Sequence, residues 1–322
     1  MIGKSGKIMI FFYIIFLVVL FLMCFTDLII REPEKEVYQI AVIIEDTRDD
    51  NYSNFRKGMD QAAIEFNADV HFITLYEKMD AAHQMELISR EMQDGVDALI
   101  VVPVDERKVI ETVMEKQTGV SVVILGTEES EEKTDGTIWI DYQKMGEQLA
   151  EQIKERTPQD CPILLLEDPY EQNYMSGSFL EGAKDILESG GFLCRTIQPE
   201  GEDGYQKVLE EFGEEEAVIL AGSPEALAKA ADILEEDSVV SVETVGLYGR
   251  GSTLPILNDL DKGLITGICV TDEYSRGYFS VRMAIRALEG KDGQETLVMD
   301  SYYIEKEDLR EPEYEKILFP ME

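Results

Sequence analysis

GVDALIVVP, residues 95–103, is the stretch that decides how the rest of the chain is read. Its glycine ends a helical pattern that Asp80 opens as a cap. An Asp side chain accepts a first-turn N–H, and glycine closes helices in the left-handed region. Residues 98–102 then run apolar without a break, as a strand covered on both faces of a parallel sheet must.

The same alternation extends in both directions. Upstream, residues 38–44 form an Ile- and Val-rich strand, residues 52–66 a helix and residues 70–75 another strand. The helix carries Phe55, Met59, Ala62 and Phe66 on one face. Downstream, residues 106–118 read as helix and 121–125 as a fourth strand. Such alternation implies parallel βαβ units, and right-handed crossovers wind them into a sheet with helices on both faces. A second copy follows, with helices at 145–155, 176–188, 205–212, 224–234 and 254–261. Its strands fall at 163–167, 192–198, 218–221, 242–247 and 264–270. Asp272 then caps a long helix striped with Tyr278, Val281, Ile285 and Leu288. Two α/β halves of this size read as two lobes.

Residues 8–26 carry no charge and are nearly all Ile, Leu, Val, Phe or Met. That is close to the roughly 20 residues needed to cross a hydrocarbon core. Lys4 and Lys7 precede the run and Asp27 follows it, which puts the N-terminus in the cytoplasm and the rest outside. A cleaved signal peptide is the rival reading, but it wants a shorter run and a small-x-small site. The segment instead ends Leu22, Met23, Cys24, Phe25, Thr26, and Met23 stands where lipidation at Cys24 would need a small residue. An uncleaved single-pass signal anchor is expected.

The chain has 322 residues, 66 of them acidic and 29 basic, for a net charge of -37. Such a surface repels phosphate backbones, so no nucleic-acid partner is expected. The charges are spread along helix faces, the ordinary signature of solubility. Outside Cys24 only Cys161, Cys194 and Cys269 remain, without metal-ligand spacing. One Cys161–Cys194 bridge is conceivable by position, and three unbridged small hydrophobes is the preferred reading. His71 and His83 pair with nothing at a catalytic spacing, and phosphate-loop, H-E-x-x-H and G-x-S-x-G motifs do not occur. The expectation is a binding protein, not an enzyme, with no cofactor and no metal.

In doubly wound sheets ligands sit in the crevice at the carboxyl ends of the strands. Those ends bring forward Asp46, Asn51, Tyr52, Tyr76, Asp105, Thr127, Asp141, Tyr174, Ser223, Tyr248, Arg250 and Asp272. The four tyrosines favour a flat, partly apolar ligand, unless they are ordinary half-buried loop aromatics. Arg250, between Gly249 and Gly251, reads either as an anion contact or as a solvated loop arginine.

From Tyr38 to Tyr303 the chain resembles the type 1 periplasmic binding proteins, in particular the ribose/galactose-type sugar binders. The most specific match is GVDALIVVP, similar to that family's third strand, "G-x-D-A-I-I-x-x-P". The run 40–44, the loop with Asn51 and Tyr52, and the FRKG of 55–58 resemble its first strand, aromatic loop and first helix. SVVIL at 121–125, Phe179 with Gly182, Gly246, and the strand 266–271 fall in register. The resemblance implies two lobes joined by three crossings near Asp141, Val270 and Asp300. Residues 1–36 would be cytoplasmic end, anchor and spacer, 37–141 with 271–300 lobe one, and 142–270 with 301–322 lobe two.

The sugar-contacting positions depart from the family. Its Asp-Arg after the fourth strand is here Gly126-Thr127, its second-lobe arginine falls at Gly177, its Asn-Asp is Ser223-Pro224, and a further Asp is Tyr248. Asn51, Tyr52, Thr127, Asp141, Tyr174, Ser223, Tyr248 and Asp272 are the expected ligand contacts. The ligand class is a sugar, or another polar or aromatic solute, since a pocket stripped of hydroxyl partners loses affinity for hydroxyls. Two roles stand open: solute capture for an ABC-type importer, or a tethered sensor presenting its closed form to a membrane receptor or histidine kinase. A third is an interaction module that binds no ligand.

Overall fold

The computed structural model describes residues 4–25, 37–116, 119–126, 134–168, 174–201, 204–211, 216–235, 244–290 and 295–320. The chain divides into two compact units, Met1–Val37 and Tyr38–Glu322. The first is built on helix α1 (Lys4–Phe25), which is apolar all round and leaves its side chains from Ile8 to Met23 exposed. Its 22 residues extend about 33 Å at 1.5 Å each, enough to cross a hydrocarbon core.

The second unit holds two six-stranded sheets. In chain order the first lobe runs β1 (Tyr38–Ile43), α2 (Ser53–Phe66), β2 (Ala68–Ile73), α3 (Ala81–Asp94), β3 (Ala98–Val101), α4 (Glu106–Lys116), β4 (Ser121–Gly126) and β5 (Gly136–Ile140). The chain then crosses to the second lobe with α5 (Tyr142–Arg156), β6 (Ile163–Leu166), α6 (Tyr174–Ser189), β7 (Cys194–Ile197), α7 (Gly204–Glu211) and β8 (Ala217–Ala221). It continues with α8 (Pro224–Glu235), β9 (Thr244–Arg250), α9 (Leu254–Lys262) and β10 (Gly267–Thr271). Helix α10 (Glu273–Leu288) and β11 (Glu295–Met299) return to lobe one, and β12 (Ser301–Ile304) and α11 (Pro312–Leu318) finish on lobe two. The sheet orders are β11-β5-β4-β3-β1-β2 and β12-β10-β9-β8-β6-β7. Every pairing is parallel except β12 on β10. The chain therefore passes between lobes three times, after Ile140, Thr271 and Met299.

Alternate residues of each strand feed opposite cores, as the two-residue period demands. Ile40, Val42 and Ile44 face the layer of α2 and α10, while Ala41 and Ile43 face that of α3 and α4. Ile163 and Leu165 join the first of these clusters, and Leu164 and Leu166 build a separate one beneath α8 and α9. This is the doubly wound, two-lobed architecture expected from the sequence.

Each lobe packs one helix closely on another through glycine. A Cβ on Gly58 of α2 would collide with the Tyr274 carbonyl of α10, and one on Gly277 with the Phe55 carbonyl. In the other lobe a Cβ on Gly146 of α5 would meet the Phe179 carbonyl of α6, and one on Gly182 that of Gln143. Cys161, Cys194 and Cys269 are all free thiols, so no Cys161–Cys194 bridge forms.

Candidate functional site in the interlobe cleft

Helices α5 and α10 begin at the first two crossings, directly behind the cleft. Asp141 and Asp272 cap them, accepting the N–H of Lys144 and of Ser275, each at 2.9 Å. The first turn of each helix consequently faces the cleft. Tyr142 and Met145 from α5 and Glu273 and Arg276 from α10 line a cavity of about 100 Å³ between the lobes. Glu45, Asp46, Asn51 and Tyr52 close it from lobe one. Met175, Pro224, the loop Arg250–Thr253 and the end of β10 close it from lobe two.

The wall is charged and tightly interlocked. Tyr52 donates its hydroxyl to Glu45 Oε2 at 2.7 Å, with both residues buried. Burial, followed by the Glu45 charge, holds the Tyr52 phenol well above its ordinary pKa, so it is a neutral donor. Glu273 accepts the Thr271 hydroxyl at 2.6 Å and pairs with Arg276 Nη1 at 3.2 Å. Burial works against the Arg276 charge, yet the nearby Glu273, Tyr142, Tyr52 and Glu45 outweigh it and raise its pKa. Arg250 donates Nε–H to the Gly222 carbonyl at 2.8 Å and lays its guanidinium 5.0 Å from the Tyr142 ring centre.

The recess opens onto a groove of about 970 Å³ that shares Asp46, Asn51, Pro224, Ser252, Thr253 and Glu273 with it. The lobes touch along this rim. Lys78 Nζ lies 3.6 Å from Asp46 in its own lobe and 3.3 Å from Glu225 in the other. The C-terminal segment crosses back to α2, where Asn54 donates to the Leu318 carbonyl at 3.0 Å and Lys57 to that of Pro320 at 3.3 Å.

Of the residues the sequence brought forward, Asn51, Tyr52, Asp46 and Arg250 meet at this recess. Ser223 stands just behind it, donating to Asp168 at 2.7 Å and capping α8 through Ala226 N–H at 3.0 Å. Asp141 and Asp272 spend their carboxylates on helix caps, as Asp105 does on α4 through Lys108 N–H at 3.2 Å. Tyr248 lies two residues short of the end of β9, opposite Gly267 of β10, and is buried in the core instead of in the cavity. Tyr76 projects into solvent and stacks on His83 at 4.4 Å. Thr127 and the side chain of Tyr174 lie outside the described residues. Glu45, Tyr142, Glu273 and Arg276 were not anticipated. Charged residues inside a helix read from sequence as a solvated face.

The comparisons agree with this geometry. A profile of the periplasmic binding protein domain matches residues 40–292. Sequence comparison with curated proteins gave no match. A glucose-galactose binding protein from Geobacillus stearothermophilus superposes with TM-score 0.73 at 18% identity, over 86% of this chain and 100% of that one. A solute-binding protein from Bacillus halodurans with bound myo-inositol gives 0.72 at 19%, over 88% and 99%. One from Actinobacillus succinogenes with bound D-allose gives 0.74 at 14%, over 84% and 98%. With most of its two-lobed unit matched by one profile, the chain belongs to the periplasmic binding protein domain family, a family of binding proteins and not of enzymes.

Proposed function

We propose that the protein is a membrane-tethered, extracytoplasmic solute-binding protein that takes a sugar-like solute into the interlobe recess for an ABC-type importer. The observation that carries this is the recess itself, at the carboxyl ends of both sheets, walled from both lobes and floored by buried charge. A ligand touching both lobes favours their approach by its differential contacts. The bound myo-inositol and D-allose of the structural relatives support a polyhydroxylated ligand class. The lobe boundaries we assign are 37–141 with 271–300, and 142–270 with 301–322. Asn51 and Tyr52 are the contacts carried over from the sequence, joined by Glu45, Arg250, Glu273 and Arg276.

The test is a thermal-shift panel on the full-length chain in lipid nanodiscs, covering sugars, polyols, nucleosides and amino acids. A ligand at 100 times its Kd adds about 2.7 kcal/mol of stability. Silence across the panel would refute solute capture. The exposed apolar α1 favours a tether, and a tether also suits a sensor that presents its ligand-bound form to a membrane protein. Alkaline extraction of membranes separates anchor from signal peptide, since an anchored chain stays in the pellet at its full mass.

A further inference from the structure

We propose, building on the solute-binding reading above, that the ligand is an acidic polyol: a sugar or cyclitol derivative whose carboxylate docks on Arg276. Arg276 is 6% exposed and stands on the recess wall. A guanidinium carries five N–H donors. Among the described residues its hydrogen-bond partner is Glu273, reached through Nη1, and Nε has none. The edge formed by Nε and Nη2 is therefore left over, and it is the edge that receives a carboxylate with two parallel hydrogen bonds. Leaving such donors buried and unmatched is costly, whereas a planar oxyanion satisfies two at once. Nε itself is buried, so docking requires the guanidinium to turn toward the cavity.

The carboxylates of the wall do not compete for this role. Glu45 accepts from Tyr52, and Glu273 from Thr271 and Arg276. Asp46 accepts the N–H of Thr47 at 2.6 Å and of Arg48 at 3.4 Å, with Lys78 facing its other oxygen. A second buried guanidinium, Arg250, faces the recess from the opposite lobe, so an anion there is held from both sides. Size points the same way. About 100 Å³ is below the roughly 300–1,000 Å³ of usual ligand sites, so the recess fits a head group and the adjoining groove the remainder. The chain's net charge of -37 repels an anion at long range, so capture should quicken as salt screens that field.

The experiment is titration calorimetry on the full-length chain in detergent micelles, with D-glucuronate and D-galacturonate set against D-glucose and D-galactose. The acids are expected to bind at least tenfold more tightly than their neutral partners. R276Q is expected to erase that preference, bringing the acids down to the affinity of the neutral sugars, and cooperative urea unfolding reports that the variant is folded. R276K keeps the charge without the planar fork and is expected to fall between. Neutral sugars binding as tightly as the acids would overturn the acid proposal and leave solute binding standing. So would acid affinity untouched in a cooperatively unfolding R276Q or R276K. No binding by any solute would overturn both readings.

Discussion

Asp141 and Asp272 are structural counterparts: each stands at a crossing between lobes and caps the helix that begins there. Each accepts the N–H three residues on at 2.9 Å, and each is followed five residues later by the glycine on which its helix pair packs, Gly146 and Gly277. The two lobes thus present their helices to the cleft by one device used twice. Losing an Asp cap costs about 1 kcal/mol. D141A and D272A are expected to lower stability in urea denaturation by about that much. D272A should lose more, since Asp272 also accepts the Ser275 hydroxyl at 2.6 Å. Because both carboxylates are spent on caps, ligand Kd should stay near wild type. A tenfold weakening with unchanged stability would reassign them as ligand contacts.

The glycines on these helices should divide sharply by position. G146A and G277A force a methyl into a facing backbone carbonyl that cannot rotate away, so the helices must separate. Overpacking of this kind costs about 1–3 kcal/mol. Gly177 lies near the start of α6 with open space around its Cβ position. G177A removes a glycine from a helix and should stabilise by about 0.5–1 kcal/mol. Opposite signs in melting temperature are the expected result; a stabilising G277A would contradict the close approach.

The βα alternation was legible because buried strands such as β3, β4 and β1 from Ile40 onward are almost unbroken apolar runs. β5, β11 and β12 were not foreseen. GTIWI of β5 mixes Gly136, Thr137 and Trp139 into five residues, and β11 is an edge strand exposed on alternate positions. β9 runs on past Leu247 to Arg250 through Gly249, a stretch that read as a loop, which turned Tyr248 inward and brought Arg250 to the cleft. Asn51 and Tyr52 were legible because they follow the first strand. Glu45 and Arg276 were not, since a charged residue at a strand end or inside a helix reads as solvated, yet both are buried.

Tyr52 tests how far the wall depends on its internal bonds. Y52F keeps the ring, which packs edge-on against Phe55 at 5.9 Å, and removes only the hydroxyl held by Glu45. Hydrogen bonds to charged groups contribute about 1.5–3 kcal/mol. A loss in that range by denaturant titration is expected, and E45Q, which retains an acceptor, should cost less. If Y52F were neutral, the pair would add nothing to the wall's rigidity.

Lys78 and Glu225 make the sharpest prediction about closure, because their 3.3 Å contact exists only when the lobes meet. Burial raises the Glu225 pKa, but Lys78 and Lys229 outweigh it and leave the carboxyl below its ordinary 4.5. A carboxyl depressed in the folded state contributes fully above its unfolded pKa, and that contribution fades as pH falls through the lower folded value. Acidification below about pH 4.5 should therefore loosen the cleft. The pair is partly exposed, so its worth at neutral pH is about 1 kcal/mol or less. E225Q should mimic the acid state at pH 7 and flatten the acid limb of an interlobe energy-transfer signal. Lys229, one turn along α8, pairs with Glu225 within the same lobe at 3.3 Å. K229Q should therefore raise the pH of loosening without opening the cleft at pH 7, whereas K78Q opens it. Equal effects of K78Q and K229Q would mean that Glu225 senses its own helix and not the opposite lobe.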